Sequence, residues 1–465
     1  MRVLFLCLLV ALPAAAKPNF IVIFADDLGY GDLGAFGHPT IATPNLDRLA
    51  SEGQRWTSFY SAASVCTPSR AGLLTGRHPL RSGTMSSVAR VFDQRSLSGM
   101  SPDEITLADL LAGAGYRTAM VGKWHLGHEP AYLPTKQGFQ QYFGLVSSND
   151  HNKTYGRDKG REPAMNPVEG LWDVPLMENE TVVEKPAVQS TLTRRYTERA
   201  VEFIEGNREK PFFLYFAHTF PHTPLFRHPD FAGKSLRGLY GDVIEEIDWS
   251  VGRLVSALEH NGLDRNTVVL FTSDNGPWLV FNEHGGSAGH LRGGKGSTWE
   301  GGMRVPAIFW GPGIVEPRVV RDMGSTLDVL PTFAALAEVK PPADRPMDGY
   351  DLSEVLTRGE KSPRREMYFY RSAKLFAARV GDFKLHLITQ DGYGQPEPAV
   401  HAEPLLFNLL HDPSERFDVA ADHHEVVRAI RDQALRFDGE LVRGEDQVAK
   451  RINGAVGIFL HPPVP

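Results

Sequence analysis

Three runs of apolar residues stand out along the chain, and each is followed by polar chemistry. Asn19-Phe20-Ile21-Val22-Ile23-Phe24-Ala25 is continuous rather than alternating, and Asp26-Asp27 follow it. Such a run predicts a strand buried on both faces of a parallel sheet. Thr267–Ser273 repeats the arrangement with Asp274-Asn275 at its end, and residues 211–217 form a third run that leads towards His222. In open α/β sheets, ligands collect outside the carboxyl ends of the strands. The pattern therefore predicts that the three polar clusters converge on one site.

Between these runs the apolar period lengthens to that of helices. One helix is predicted from Thr43-Pro44-Asn45 through Leu46, Leu49 and Ala50. Another opens at Thr106, runs through Leu107, Leu110, Leu111 and Ala114, and stops at Gly115. Residues 240–258 carry Val243, Ile247, Val251, Leu254 and Leu258 at helical spacing, whereas 146–190 show little period and read as a long loop, a candidate substrate wall. From about residue 364 the texture changes. Residues 367–370, 376–380 and 383–388, with a turn at Gly381-Asp382, read as antiparallel strands, followed by a helix over about 423–442. The predicted fold class is α/β, a large central mostly parallel sheet flanked by helices. A smaller α+β C-terminal domain carries an antiparallel sheet. The expected divisions are 1–16, a catalytic domain over 17–363 and a C-terminal subdomain over 364–465.

Composition adds constraints. A chain of 465 residues is too long for one ordinary core, and 42% hydrophobic with 23% charged residues is typical of a globular protein. A formal charge of −7 without a basic run argues against nucleic-acid binding. Arg2, the apolar stretch 3–12 and Ala14-Ala15-Ala16 read as a secretory signal, and no later run is long enough to span a bilayer. Cys7 lies in that signal, so Cys66 is the one thiol expected in the mature chain, and it has no disulfide partner. Export to a periplasm or to the medium is expected, in a bacterial rather than a lysosomal setting.

The candidate chemistry centres on Asp26, Asp27, Asp274 and Asn275. Four hard-oxygen side chains at two strand ends suit one Ca²⁺; Mg²⁺ suits them less, because it prefers to keep its waters. A two-zinc site would need His ligands beside the second pair, which is Asp-Asn. His284 and His290 lie in a Gly-rich loop and read as surface residues. Trp172 and Trp278 are candidates to stack on a sugar ring.

Cys66-x-Pro68-x-Arg70 followed by Leu73-Leu74-Thr75-Gly76-Arg77 resembles the signature of the type I sulfatases, the arylsulfatase family of the alkaline phosphatase superfamily. Further blocks recur in that family's order: 26–32, Gly122-Lys123-Trp124-His125-Leu126-Gly127, Pro221-His222-Thr223-Pro224, Ser273-Asp274-Asn275-Gly276 and Gly294-Lys295-Gly296. The resemblance implies an alkaline phosphatase-like fold. It also implies that a maturing enzyme oxidises Cys66 to formylglycine (3-oxoalanine) before folding. Its hydrate would attack sulfur through one hydroxyl and expel sulfate through the other, by way of a covalent sulfo-enzyme. By the same resemblance Asp274 helps activate the attacking hydroxyl and His125 takes the proton that triggers elimination. His222, with Lys295, serves the leaving oxygen, and Arg70 and Lys123 hold the oxygens of the formylglycine and the sulfate. Ser148, or Ser147 beside it, would contact sulfate. The implied activity is sulfuric ester hydrolysis on a sulfated carbohydrate or aryl sulfate. A phosphate or phosphonate ester hydrolase on the same scaffold, and a non-catalytic glycan binder, are the rival readings.

Overall fold

The computed structural model describes residues 17–152, 161–392 and 397–452; the expected signal segment lies outside them. Ten strands form the larger sheet: β1 Asn19–Ala25, β2 Gln54–Tyr60, β3 Arg117–Gly122, β4 Gln141–Leu145, β5 Leu176–Glu178, β6 Thr181–Glu184, β7 Phe212–Ala217, β8 Thr267–Ser273, β9 Arg304–Trp310 and β10 Arg318–Ser325. Their order is β10-β2-β9-β8-β1-β7-β3-β4-β5-β6. The central five, β8 to β4, run parallel, and antiparallel pairings occur on either side of them. All residues of β1, β7 and β8 are buried, as their continuous apolar runs predict.

Each face of the sheet has its own core. Helices Pro44–Glu52, Leu192–Gly206 and Gly238–His260 cover one face, while Cys66–Thr75, Leu107–Gly113 and Val329–Leu336 cover the other. Thr106 starts its helix with a reciprocal capping box. Its hydroxyl accepts from the Asp109 N–H at 3.0 Å, and the Asp109 carboxylate accepts from the Thr106 N–H at 3.0 Å. The segment expected to be one long loop is more ordered than its composition suggests. β5 and β6 are short, and they are joined at Asn179, which has a positive φ of 53°. They extend the sheet edge through backbone pairing that needs no apolar period.

The second sheet contains β11 Glu366–Arg371, β12 Lys374–Val380, β13 Phe383–Thr389 and β14 Ala399–Asn408, in that order and antiparallel. Helix His424–Glu440 packs on one of its faces. The other faces the part of the chain that carries the larger sheet, through a buried ionic network. Lys384 Nζ lies 2.9 Å from Glu300 and 3.1 Å from Glu415, with all three side chains fully buried. His386 Nε2 lies 2.7 Å from Glu415, and Tyr60 donates to Glu300 at 2.6 Å. Burial pushes the Glu300 carboxyl up, but Lys384, Arg304 and Arg379 outweigh it and hold it below the usual range. Lys384→Met should therefore take from Glu300 and Glu415 the buried ammonium they share and destabilise the protein by about 3–5 kcal/mol, read from the shift in denaturant midpoint. A change within about 0.5 kcal/mol would show that the network contributes little.

Candidate active site

β1 and β8 are parallel neighbours with Ala25 opposite Ser273, so Asp26-Asp27 and Asp274-Asn275 leave the sheet side by side. Backbone and side chains then lock the two pairs together. The Asp27 N–H donates to Asp274 Oδ1 at 3.1 Å, the Leu28 N–H to Ser273 Oγ at 2.9 Å, and Asn275 Nδ2 to Asp27 Oδ1 at 2.7 Å. Asp27 adopts φ 67°, a left-handed conformation that Asp and Asn tolerate better than other side chains.

Cys66 is the first residue of a helix whose ten residues are all buried. Its Sγ lies 3.5 Å from Asp26 Oδ1 and 3.4 Å from Lys295 Nζ. One turn on, Arg70 donates to Asp274 Oδ2 through Nε at 3.1 Å and Nη2 at 2.8 Å, and to the Lys123 carbonyl at 2.9 Å. Lys123 follows β3 and reaches Asp26 Oδ2 at 2.5 Å and Ser148 Oγ at 3.2 Å. Gly122 makes this turn possible: at φ 110°, a Cβ there would lie 1.7 Å from the Ala217 carbonyl oxygen. Lys295 Nζ bridges both Asp27 oxygens at 2.7 and 2.8 Å and lies 4.3 Å from the Trp278 ring centre.

The two histidines are held in defined orientations. His125 Nε2 pairs with the Phe92 carbonyl at 2.9 Å, which makes Nε2 the protonated nitrogen and leaves Nδ1 with the lone pair. Burial first, then Lys123 and His151, push its pKa well down. His222 Nδ1 lies 3.1 Å from Asn149 Oδ1, and Nε2 lies 3.7 Å from Asp27 Oδ2. Asn149 spends its amide donors on Gln189 Oε1 and the Pro224 carbonyl, both at 3.0 Å, so its oxygen faces His222 and fixes Nδ1 as protonated. Burial, then Lys295, push His222 down to about 4.

All the residues expected at the site meet here: Asp26, Asp27, Cys66, Arg70, Lys123, His125, Ser148, His222, Asp274, Asn275 and Lys295. Ser148 is the serine on Lys123, whereas the Ser147 hydroxyl pairs with His151 Nδ1. Trp278 lines the site beside His222, with ring centres 5.1 Å apart, but Trp172 is buried in the core against Phe226. His284, expected at the surface, is buried; His290 is exposed. Asn149 was not singled out from sequence. Its one signal is its place directly after Ser148.

Oxygens of Asp26, Asp27 and Asp274 lie within 4.8 Å of one another and of the Cys66 sulfur. Burial, then the neighbouring Asp26, push the Asp274 carboxyl up to about 7 despite Arg70. Burial pushes Asp26 up as well, but Lys123, His222, Arg70 and Lys295 outweigh it and hold its carboxyl well below the usual range, so the three carboxylates face three cationic side chains. Asn275 Oδ1 is buried without a protein partner. A crowded set of hard oxygens, one of them orphaned, fits a hard cation. Burial also pushes the Cys66 thiol well up, with Asp274 and Asp26 adding to the rise against Lys123 and Lys295.

A family model described as Sulfatase matches residues 18–339, and one described as the C-terminal region of aryl-sulfatase matches residues 362–457. Arylsulfatase A of Homo sapiens is 41% identical over 493 aligned positions, which cover 99% of this chain and 96% of the relative. N-acetylgalactosamine-6-sulfatase of Mus musculus is 41% identical over 452 positions, covering 91% and 86%. Among solved structures, the PsFucS1 sulfatase from Pseudoalteromonas sp. superposes with a TM-score of 0.81 at 28% identity, covering 95% of this chain and 92% of its own. Among the described residues, no helix is long and apolar enough to cross a membrane.

Proposed function

Because the chain belongs to the type I sulfatase family of the alkaline phosphatase superfamily and is a sulfuric ester hydrolase, we propose that it releases sulfate from a sulfated carbohydrate or aryl sulfate by means of a formylglycine made from Cys66 and one Ca²⁺. The carrying observation is the thiol itself. Buried and pushed up in pKa, it is a poor nucleophile as it stands, yet it lies at the point where three strand ends converge. The names of the relatives, an arylsulfatase and an amino-sugar sulfatase, support the two substrate classes.

A formylglycine at position 66 would supply, as its hydrate, a hydroxyl nucleophile that can be regenerated. Asp26, Asp27, Asp274 and Asn275 would hold the Ca²⁺, which would draw charge from a sulfuryl oxygen. The remaining work falls to the chain's own side chains. Arg70 fixes Asp274 through two donors and lies 3.4 Å from Asp26, so it sets the geometry of the carboxylates as well as adding charge. Lys123 and Lys295 are paired with Asp26 and Asp27. A bound sulfate ester would draw them towards its oxygens, with Ser148 beside Lys123. His125 presents an unprotonated Nδ1 able to accept a proton. His222, with Nδ1 fixed by Asn149, presents Nε2 to the leaving oxygen.

We take residues 17–363 as the catalytic domain and 364–465 as a C-terminal α+β subdomain. Export to the periplasm or the medium, and a formylglycine-generating or sulfatase-maturing enzyme as biosynthetic partner, complete the proposal. Matched aryl esters test it: sulfate release from an aryl sulfate should exceed phosphate release from the same aryl phosphate. The reverse would favour a phosphate ester hydrolase on this scaffold. In His222→Ala, kcat/KM should fall by about 10²-fold or more for alkyl or sugar sulfates but by less than about 10-fold for nitrophenyl sulfate, whose leaving group needs no proton. Equal losses on both would remove His222 from the acid role.

A further inference from the structure

We propose that the Asp150 carboxylate reads the group next to the scissile ester: it accepts from a vicinal hydroxyl, as on a saccharide, and disfavours a second anion there. The inference rests on the sulfatase reading of this site and narrows the leaving groups it takes. Residues 148–151 form a tight turn in which the His151 N–H donates to the Ser148 carbonyl at 3.2 Å. Three of its four side chains meet a residue of the site. Ser148 Oγ lies 3.2 Å from Lys123 Nζ, Asn149 Oδ1 lies 3.1 Å from His222 Nδ1, and the His151 ring centre lies 5.5 Å from that of His125. Asp150 is the remaining member of the turn.

Asp26, Asp27 and Asp274 each take a lysine or arginine. Among the described residues, none pairs with the Asp150 carboxylate. His151 Nε2 is 3.9 Å from its Oδ1, beyond hydrogen-bond reach, and Oδ1 is buried with no hydrogen-bond partner. The side chain as a whole is 34% exposed, so a ligand can reach it. Burial pushes its carboxyl up, but His222, then His151, the Ser148 hydroxyl and Lys123 outweigh it and hold it below the usual range. His222 acts on it more strongly than His151 does, so the carboxylate lies on the His222 side of the turn as well as beside His151. A substrate seated with its sulfuryl group at Lys123 and Ser148, and its ester oxygen at His222, brings the carbon next to the ester towards this turn. A hydroxyl on that carbon gives the carboxylate the donor it lacks, whereas a sulfate or carboxylate there meets a like charge. An unpaired acceptor rejects the analogue without the donor more strongly than apolar contact could.

The test uses full-length protein with Cys66 converted and two pairs of esters: 2-hydroxyphenyl against phenyl sulfate, and trans-2-hydroxycyclohexyl against cyclohexyl sulfate. In at least one pair the hydroxy-to-plain ratio of kcat/KM should fall at least about fivefold in Asp150→Ala, with the plain ester within about threefold of the parent. Comparing ratios between variant and parent cancels the acidity of each leaving group. Asp150→Asn keeps the shape without the charge and stands in should the alanine variant misfold. Its kcat/KM for 2-carboxyphenyl sulfate, relative to phenyl sulfate, should rise at least about fivefold. Ratios unchanged in both variants, or an equal loss on both members of each pair, would overturn the role of Asp150 while leaving the sulfatase reading intact. Failure of the converted parent to release sulfate from any of these esters would overturn the premise, and the inference with it.

Discussion

Replacing Cys66 with alanine is expected to lower sulfate release by on the order of 10⁵-fold or more while leaving the fold in place. The asymmetry follows from the contacts of the side chain. Its Sγ makes two long approaches, 3.5 Å to Asp26 and 3.4 Å to Lys295, and both partners are anchored elsewhere, Asp26 by Lys123 and Lys295 by Asp27. Removing one buried sulfur should cost about 1 kcal/mol. The helix it starts is held by Arg70 and by the Thr67 hydroxyl on the His125 carbonyl at 2.9 Å, and neither contact changes. Sulfate release, thermal unfolding and the mass of the tryptic peptide spanning residues 56–70 check the expectation together. In the parent, that peptide should be lighter by the difference between H₂S and O once a maturing enzyme is co-produced. Activity retained in Cys66→Ala would end the formylglycine proposal.

The parts of this site that could be read from sequence are those whose chemistry is tied to a local pattern. Asp26-Asp27 and Asp274-Asn275 follow unbroken apolar runs, and such runs have few fates other than a doubly covered central strand. Asn149 was invisible because its role depends on Gln189 and Pro224, both distant in sequence. β14 escaped for a different reason. Its burial lacks strict alternation and it contains Pro404, which an edge strand tolerates but which weakens any strand signal. The alternation in Phe383-Lys384-Leu385-His386 places Lys384 and His386 on the face away from Leu385, which a lone sheet would give to water. Both are fully buried because that face meets Glu300 and Glu415. Period-two patterning reports which residues share a face; only the neighbouring domain decides whether that face is wet.

The metal assignment makes its strongest demand at Asp27. Alanine there would confound two effects, because φ 67° costs most side chains about 1–2 kcal/mol of strain. Asparagine tolerates that conformation and can still accept from Asn275 Nδ2, so Asp27→Asn isolates the loss of one negative charge. Lys295, whose ammonium sits on the Asp27 carboxylate and which is only 6% exposed, keeps an amide oxygen as acceptor in this variant and stays over the Trp278 ring. The expected result is a protein that folds, binds Ca²⁺ at least about tenfold more weakly and turns over roughly 10²–10³-fold more slowly. Equilibrium dialysis followed by elemental analysis reads the first effect, and turnover across a Ca²⁺ series reads the second. If the cation is held here, raising Ca²⁺ should recover part of the lost rate, since the oxygens of Asp26, Asp274 and Asn275 remain. Unchanged Ca²⁺ binding alongside the rate loss would instead make Asp27 only the partner of Lys295, and the convergent carboxylates would then be a counter-charge for the three cationic side chains rather than a cage for a metal.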